Sequence, residues 1–202
     1  GSSSNRQTKS ISVTMRTPGN DTELALGFLF TEGILLSIKD VQAVQTEAPN
    51  TIRIALHEHA LPNLPAAERN FYTTSSCGVC GKSSIDAIRT VRPFASLPGK
   101  PLELSAEQLM ALPVLLQQAQ ADFASTGGIH ASGLFSFKNE LILLREDVGR
   151  HNALDKLIGA AFQQKKLPLA DSILLLSGRA SFELLQKATM AGIPLVASRS
   201  EE

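Results

Sequence analysis

Beyond Cys77 and Cys80 this chain of 202 residues has no cysteine, so it can build neither a disulfide framework nor a four-thiolate zinc site. It also lacks an apolar run approaching the roughly 20 residues that a bilayer span requires, and a charged, apolar and small-residue leader. Membrane insertion and export are therefore not expected, and a CxxC without an export signal points to the reducing cytoplasm. An excess of charge is missing too, since Lys plus Arg and Asp plus Glu each total 19. The whole-molecule field then offers nothing to nucleic acid or an anionic membrane, and any anion site must be local. Neither a GxxxxGK followed by Ser or Thr nor a GxGxxG occurs, which excludes the common phosphate and dinucleotide fingerprints. No internal repeat or low-complexity tract is present. The 43% apolar content suffices for the core of one domain, or of one domain with a subdomain. Gly1 to Ser4 reads as a tag remnant, and residues 1–10 are set aside as a tag or disordered start.

The two cysteines lie in Ser75-Ser76-Cys77-Gly78-Val79-Cys80-Gly81-Lys82. Gly78 and Gly81 permit tight turning, and Ser83 can cap a helix beginning near Ser84. A thiol titrates near ~8.5, and helix amides with a neighbouring ammonium such as Lys82 lower that value, so this segment favours the thiolate. Three readings stand on spacing alone. One is sulfur or redox chemistry, although a thioredoxin-type motif is expected just after a strand near the start of a short chain. The second is a metal site, which His130 and His151 could complete only through the fold. The third is inert burial, for which the flanking Ser, Gly and Lys are poor company.

Ile11, Val13 and Met15 alternate with polar residues, which predicts a half-buried strand. Pro18-Gly19 turns the chain into a helix whose start, Asn20 with Glu23, resembles a capping box, and Leu24, Phe28 and Leu35 keep helical spacing with Gly33 as C-cap. Ile52, Ile54 and Leu56 predict a strand in a hairpin with 41–44. Residues 57–70 read as a loop or short irregular helix, and His57 and His59 within it as solvated surface. Pro93, Pro98, Gly99 and Pro101 mark a boundary. It divides an N-terminal subdomain, 11–95, which includes the CxxC loop, from a C-terminal α/β subdomain, 101–202, that ends in mid-fold. Ser105 with Gln108 caps a helix running to about Phe123 and kinked or restarted at Pro113. Residues 129–137 and 140–144 form a hairpin about Lys138-Asn139. Two strand–turn–helix units follow, 141–144 into 152–162 and 173–176 into 181–191, and 194–197 closes as a further strand. The apolar runs 173–176 and 194–197 suit central strands covered on both faces.

Residues just past the carboxyl ends of strands line the crevice of an open α/β sheet. Here they are Gly149-Arg150-His151 and Gly178-Arg179, each combining a glycine, an arginine and a helix N-terminus, which suits a phosphate-bearing ligand. The plainer reading is that the glycines only permit the turns while Asp147 and Ser181 cap their own helices. His151, at a helix start beside Arg150, is expected to stay neutral. Thr126-Gly127-Gly128-Ile129-His130 adds a third glycine turn, with His130 on the strand that follows.

Seven blocks carry a resemblance: Met15-Arg16-Thr17-Pro18-Gly19, Glu23 to Leu29, Thr31-Glu32-Gly33-Ile34, Ser76 to Gly81, Thr126 to Ala131, Glu146 to Lys156, and Ser177 to Glu183 with Gln186-Lys187 and Ala191-Gly192. In this order, from about Ile11 to Ser198, they closely resemble the formate dehydrogenase accessory protein family, FdhD or NarQ. The resemblance implies a three-layer α/β/α fold with a mixed sheet, similar to cytidine deaminases, beside a smaller N-terminal α+β subdomain. It implies a homodimeric sulfurtransferase that takes persulfide sulfur from a cysteine desulfurase and delivers it to the molybdenum or tungsten bis-pterin guanine dinucleotide cofactor of formate dehydrogenase. That cofactor is a bound substrate, which a guanine nucleotide can mimic. Cys77 is then the persulfide carrier and Cys80 the supporting thiol. Arg150, His151 and Arg179, with Gly149, Gly178 and His130, are the residues expected at the cofactor, an inference from the turns. The alternatives are a non-catalytic cofactor chaperone and a zinc module through the CxxC. The family's members also continue beyond the position of Ser198. The deaminase zinc pattern is absent, since residue 76 is Ser and no His-x-Glu occurs, so no resident metal is expected.

Overall fold

The computed structural model describes residues 7–65, 93–94, 104–120 and 128–198. The first helix, α1, spans Asp21–Thr31. Its expected capping box does not form, because Asn20 is left-handed, with φ 55°, and makes no side-chain cap bond; a side-chain cap needs extended backbone at that position. Glu23 instead pairs with Arg145, Nη2 to Oε1 at 2.7 Å. The helix ends where Gly33 adopts φ +68°, with Gly33 N donating to the Phe30 carbonyl and Ile34 N to the Leu29 carbonyl, both at 2.9 Å. This paired closure needs a left-handed residue, which is why a glycine stands one place past the last helical turn.

The strand expected over Ile11 to Met15 is absent. Residues 7–17 carry no strand, and Val13 and Met15 are 92% and 88% exposed. Alternation buries a side only when a ladder partner and a packed face exist, and among the described residues this segment has no ladder partner and packs only Ile11, against Ile34. Separate bonds hold it instead: Thr17 N donates to Asp147 Oδ2 at 3.1 Å and Asn152 Nδ2 to the Met15 carbonyl at 2.7 Å. The next hairpin is as expected, with β1 (Val41–Ala48) antiparallel to β2 (Thr51–Leu56), Val44 facing Ile54, and Asn50 at φ 69° in the turn.

Helix α2, Ala106–Ala119, opens with a complete capping box between Ser105 and Gln108 and runs through Pro113. Four strands follow: β3 (His130–Phe135), β4 (Leu141–Asp147), β5 (Ile173–Leu176) and β6 (Leu195–Ser198), in spatial order β4-β3-β5-β6. The sheet is mixed: β3 runs antiparallel to β4 and β5, whereas β5 and β6 are parallel. Helix α3 (Arg150–Gln163) links β4 to β5, and α4 (Phe182–Met190) links β5 to β6. The run 173–176 is a fully buried central strand, but 194–197 lies at the edge of the described sheet and is only partly buried. Its apolar sequence still has a cause, because Val196 joins the core on one face while Leu195 and Ala197 join the core on the other.

Side-chain alternation along β3 and β5 gives the sheet two packed faces. Leu134, Leu174 and Leu176 pack with α1, α3 and α4, and Ala131, Phe135, Ile173 and Leu175 with Leu112 and Leu116 of α2. The first of these cores crosses the expected boundary between 11–95 and 101–202, since Leu26 and Phe30 share it with Leu154, Leu157 and Ile158. Most of the boundary segment lies outside the described residues. Helix α3 is enclosed, with every residue from Ala153 to Phe162 buried. Its approach to α1 depends on two glycines: a Cβ on Gly27 would run into the Asp155 carbonyl, and one on Gly159 into the Glu23 carbonyl.

Candidate functional site

Because β3 is antiparallel to β4 and β5, its first residue lies where those two strands end. His130 faces Asp147 in register, and Ser177, just past β5, exchanges bonds with Ala131: Ala131 N donates to Ser177 Oγ at 2.8 Å and Ser177 N to the Ala131 carbonyl at 3.0 Å. Gly178 follows so closely under the imidazole that a Cβ there would stand 3.2 Å from His130 Nδ1. The three strand ends, and with them His130, Gly149 and Gly178, are thereby gathered on one edge of the sheet.

Asp147 shapes the first turn. It is fully buried, and its carboxylate accepts from Gly149 N at 2.9 Å, Asn152 Nδ2 at 3.1 Å and Thr17 N at 3.1 Å, while Lys156 Nζ stands 2.7 Å away. Lys156 Nζ also donates to the Thr17 carbonyl at 2.9 Å. A buried ion pair persists only when its remaining hydrogen-bonding capacity is met, and here every neighbour meets some of it. The block around Thr17 is thus tied to the block from Glu146 to Lys156, with Val148 N donating to Thr17 Oγ1 at 2.9 Å.

The two turns differ in how their helices begin. Gly149 is the N-cap of α3 and offers no side-chain cap, whereas Ser181 caps α4 by accepting from Leu184 N at 3.4 Å. The capping expected of Ser181 under the plainer reading is therefore real, while Asp147 holds the Gly149 amide. Arg150 and His151 occupy the first turn of α3, where the helix dipole favours an anion. Arg150 is half-buried and Arg179 is exposed on the second turn. His151 joins the turns, its Nε2 lying 2.9 Å from Glu183 Oε2 and 3.3 Å from Ser181 Oγ. The positive helix end anticipated beside His151 is present, and so is a carboxylate that local sequence does not announce. Cys77 and Cys80 lie outside the described residues. Among those described, no group of three or more His, Cys, Asp or Glu is placed to hold a metal.

A second buried cluster stands behind the site. Lys187 Nζ contacts Asp155 Oδ1 and Oδ2, each at 3.0 Å, Glu32 Oε1 at 2.8 Å and Thr31 Oγ1 at 2.9 Å. Thr31 Oγ1 in turn donates to Asp155 at 2.7 Å. Burial alone would drive Lys187 toward its neutral form, but the carboxylates of Asp155 and Glu32 outweigh it and hold the ammonium above the ordinary lysine range. Burial pushes the Asp155 carboxyl up, against the pull of Lys187 and Thr31. Sequence reasoning passed over Asn152, Asp155, Lys156, Glu183 and Lys187 as individual residues, and saw Asp147 only as a helix cap. One signal was available, because Asp155-Lys156 interrupts an otherwise apolar stretch, Ala153-Leu154 and Leu157-Ile158, where a charge must find a partner.

Comparison with known proteins follows this geometry. The FdhD/NarQ family model matches residues 5–201. The sulfur carrier protein FdhD of Mycolicibacterium paratuberculosis is 49% identical over 200 residues, which span 94% of this chain and 73% of that protein. The protein of the same name from Streptomyces coelicolor is 48% identical over 204 residues, 95% and 71% of the two chains. That of Sulfolobus acidocaldarius is 40% identical over 192 residues, 95% and 72%. A crystal structure from Desulfotalea psychrophila, described provisionally as a formate dehydrogenase accessory protein, superposes with a TM-score of 0.64 over 93% of this chain and 67% of its own. At 20% identity that likeness concerns the fold alone.

Proposed function

The chain belongs to the FdhD/NarQ family, and on that premise we propose that it is a sulfur carrier serving the maturation of formate dehydrogenase. Cys77 takes sulfane sulfur from a cysteine desulfurase: its thiolate attacks the terminal sulfur of the donor persulfide, a new S–S bond forms, and the donor cysteine leaves as a thiolate. Cys80 is the second thiol of the relay. The acceptor is a molybdenum or tungsten bis-pterin guanine dinucleotide, bound as substrate with its phosphates at the turns of Arg150, His151 and Arg179. Gly149, Gly178 and His130 shape the floor of that crevice. A homodimer in the cytoplasm is part of the same reading. So is a three-layer, cytidine-deaminase-like arrangement, which the helices on both faces of the mixed sheet support.

The observation that carries the cofactor site is the joining of the two glycine–arginine turns at the carboxyl ends of β4 and β5 through His151, Ser181 and Glu183. Two anion-favouring helix starts held side by side suit a diphosphate better than either does alone. The names of relatives at 40–49% identity support the sulfur-carrying role. The decisive experiment is mass spectrometry of the protein after incubation with a cysteine desulfurase and cysteine. One added sulfur on Cys77 is expected; an unmodified Cys77 in a protein that still binds the cofactor would leave only a chaperone role.

A further inference from the structure

Residues 11–17 are fastened to the end of β4 and the start of α3 almost entirely by polar bonds. No residue from Ser12 to Thr17 is buried, and Val13 and Met15 are among the most exposed apolar side chains described. The one apolar anchor among the described residues is Ile11, packed against Ile34. Thr17 carries three of the bonds, because its backbone matches the buried ion pair: its N–H donates to Asp147 Oδ2 at 3.1 Å and its carbonyl accepts from Lys156 Nζ at 2.9 Å. Its hydroxyl accepts from Val148 N at 2.9 Å. Asn152 holds the two residues before Arg16, with Nδ2 donating to the Met15 carbonyl at 2.7 Å and Oδ1 accepting from Thr14 Oγ1 at 3.3 Å. Arg16 itself reaches Asp21 at 2.6 Å. Thr17 and Pro18 also line a cavity of about 190 Å³ whose walls include Arg145, Glu146 and Lys156.

Such a seam separates at low cost. Water replaces each donor and acceptor that is given up, and an ion pair that loses part of its cover recovers hydration. A segment packed through apolar side chains has no such offset. The chain also has a place to turn, since Gly19 and Asn20 both have positive φ, at 100° and 55°, both are exposed, and a Cβ on Gly19 would meet nothing within 4 Å. We propose that residues 11–17 form a strap that opens as one unit about Gly19 while the rest of the protein stays folded, uncovering the Asp147–Lys156 pair and the cavity beside it. Opening also frees Val148 and Asn152, so the strap sets how firmly the turn between β4 and α3 is held. The plainer role is a fixed stretch of chain that separates only when the whole fold unfolds. The two differ in what the amides on either side of the seam report: Thr17 N lies on the strap and Val148 N on the body, and each is bonded across to the other side.

The test is residue-resolved amide hydrogen exchange of the full chain, without ligand and in low concentrations of urea below the unfolding transition, for the wild type and Asn152→Ala. The Thr17 and Val148 amides are expected to be protected about 100-fold or more less than the amides of β5, to agree with each other within about threefold, and to be insensitive to urea. Asn152→Ala removes the ties to Thr14 and Met15 and touches neither reporting amide, so it should lower both protections by the same factor, about tenfold. Protection of Thr17 and Val148 as high as that of β5, with the same urea dependence, overturns the strap and leaves a fixed segment. So does a change in Asn152→Ala that reaches only one of the two amides, because the seam then does not open as a unit. Complete absence of protection in the wild type overturns it as well, since no closed form is then held.

Discussion

Lys187 touches Asp155, Glu32 and Thr31 in a space sealed by three helices, and it illustrates how a single side chain can be indispensable without being a net source of stability. Desolvating an ammonium and a carboxylate offsets most of their attraction, but removing one partner strands the other. Lys187→Met is therefore expected to cost about 3–5 kcal/mol in urea unfolding, and the double change Lys187→Met with Asp155→Leu should cost less than the single one. The folded-state pKa of Lys187 lies above that of the unfolded chain. Its contribution is accordingly complete below the ordinary lysine range and declines as pH rises above it. Comparing the pH dependence of stability in the wild type and Lys187→Met checks that sign. Cys77 acts by chemistry rather than packing: Cys77→Ala should keep the wild-type circular dichroism spectrum, take up no sulfur and fail to activate formate dehydrogenase in cells lacking their own carrier. Cys80→Ala should retain part of that activity.

Helices α1 and α3 meet where neither carries a side chain. Gly27 and Gly159 let each backbone rest on the carbonyl of the other helix, at Asp155 and Glu23, and a carbonyl cannot swing aside as a side-chain tip can. A methyl group at either place must push the helices apart, along with Phe30 and Phe162, whose ring centres are 4.9 Å apart. Gly159→Ala is expected to destabilise by about 3 kcal/mol, the upper part of the usual overpacking range. Gly27→Ala should cost a similar amount. The double variant should cost clearly less than the sum, because the first methyl has already opened the space for the second. Chemical denaturation of the three variants tests this coupling.

At the scale of the whole molecule, the candidate cofactor site is a product of strand order. Placing β3 between β4 and β5 brings two turns from separate strand–turn–helix units to the same edge, and the open edge of such a sheet is where ligands settle. With no net charge to attract an anion from a distance, affinity must come from close contacts. Charge-assisted bonds to a phosphate contribute roughly 1.5 to 3 kcal/mol each, so Arg150→Ala should weaken guanosine diphosphate binding about tenfold or more. Arg179→Ala should act in the same direction but less, because Arg179 is exposed and Arg150 half-buried. Sulfur loading on Cys77 should be unchanged in both variants, and calorimetry beside mass spectrometry reads the two properties separately.

The sequence by itself determined the features that short-range rules govern. The hairpin of 41–56, the capping box of Ser105 and Gln108, the turn at Asn139 and the two strand–turn–helix units all follow from alternation, capping residues and residues able to turn, within a few positions of each other. The family was legible for the same reason, being written in contiguous blocks. Tertiary structure alone decided the rest. The alternation of Ile11, Val13 and Met15 signals a strand equally well whether or not a partner exists, and no partner is present among the described residues. The bond from His151 to Glu183, the Lys187–Asp155 pair and the contact of Gly27 with Gly159 join positions whose neighbours carry no trace of one another. Such pairings depend on the angle and distance at which whole elements cross, and those are set by the packing of the complete core rather than by any local run of residues.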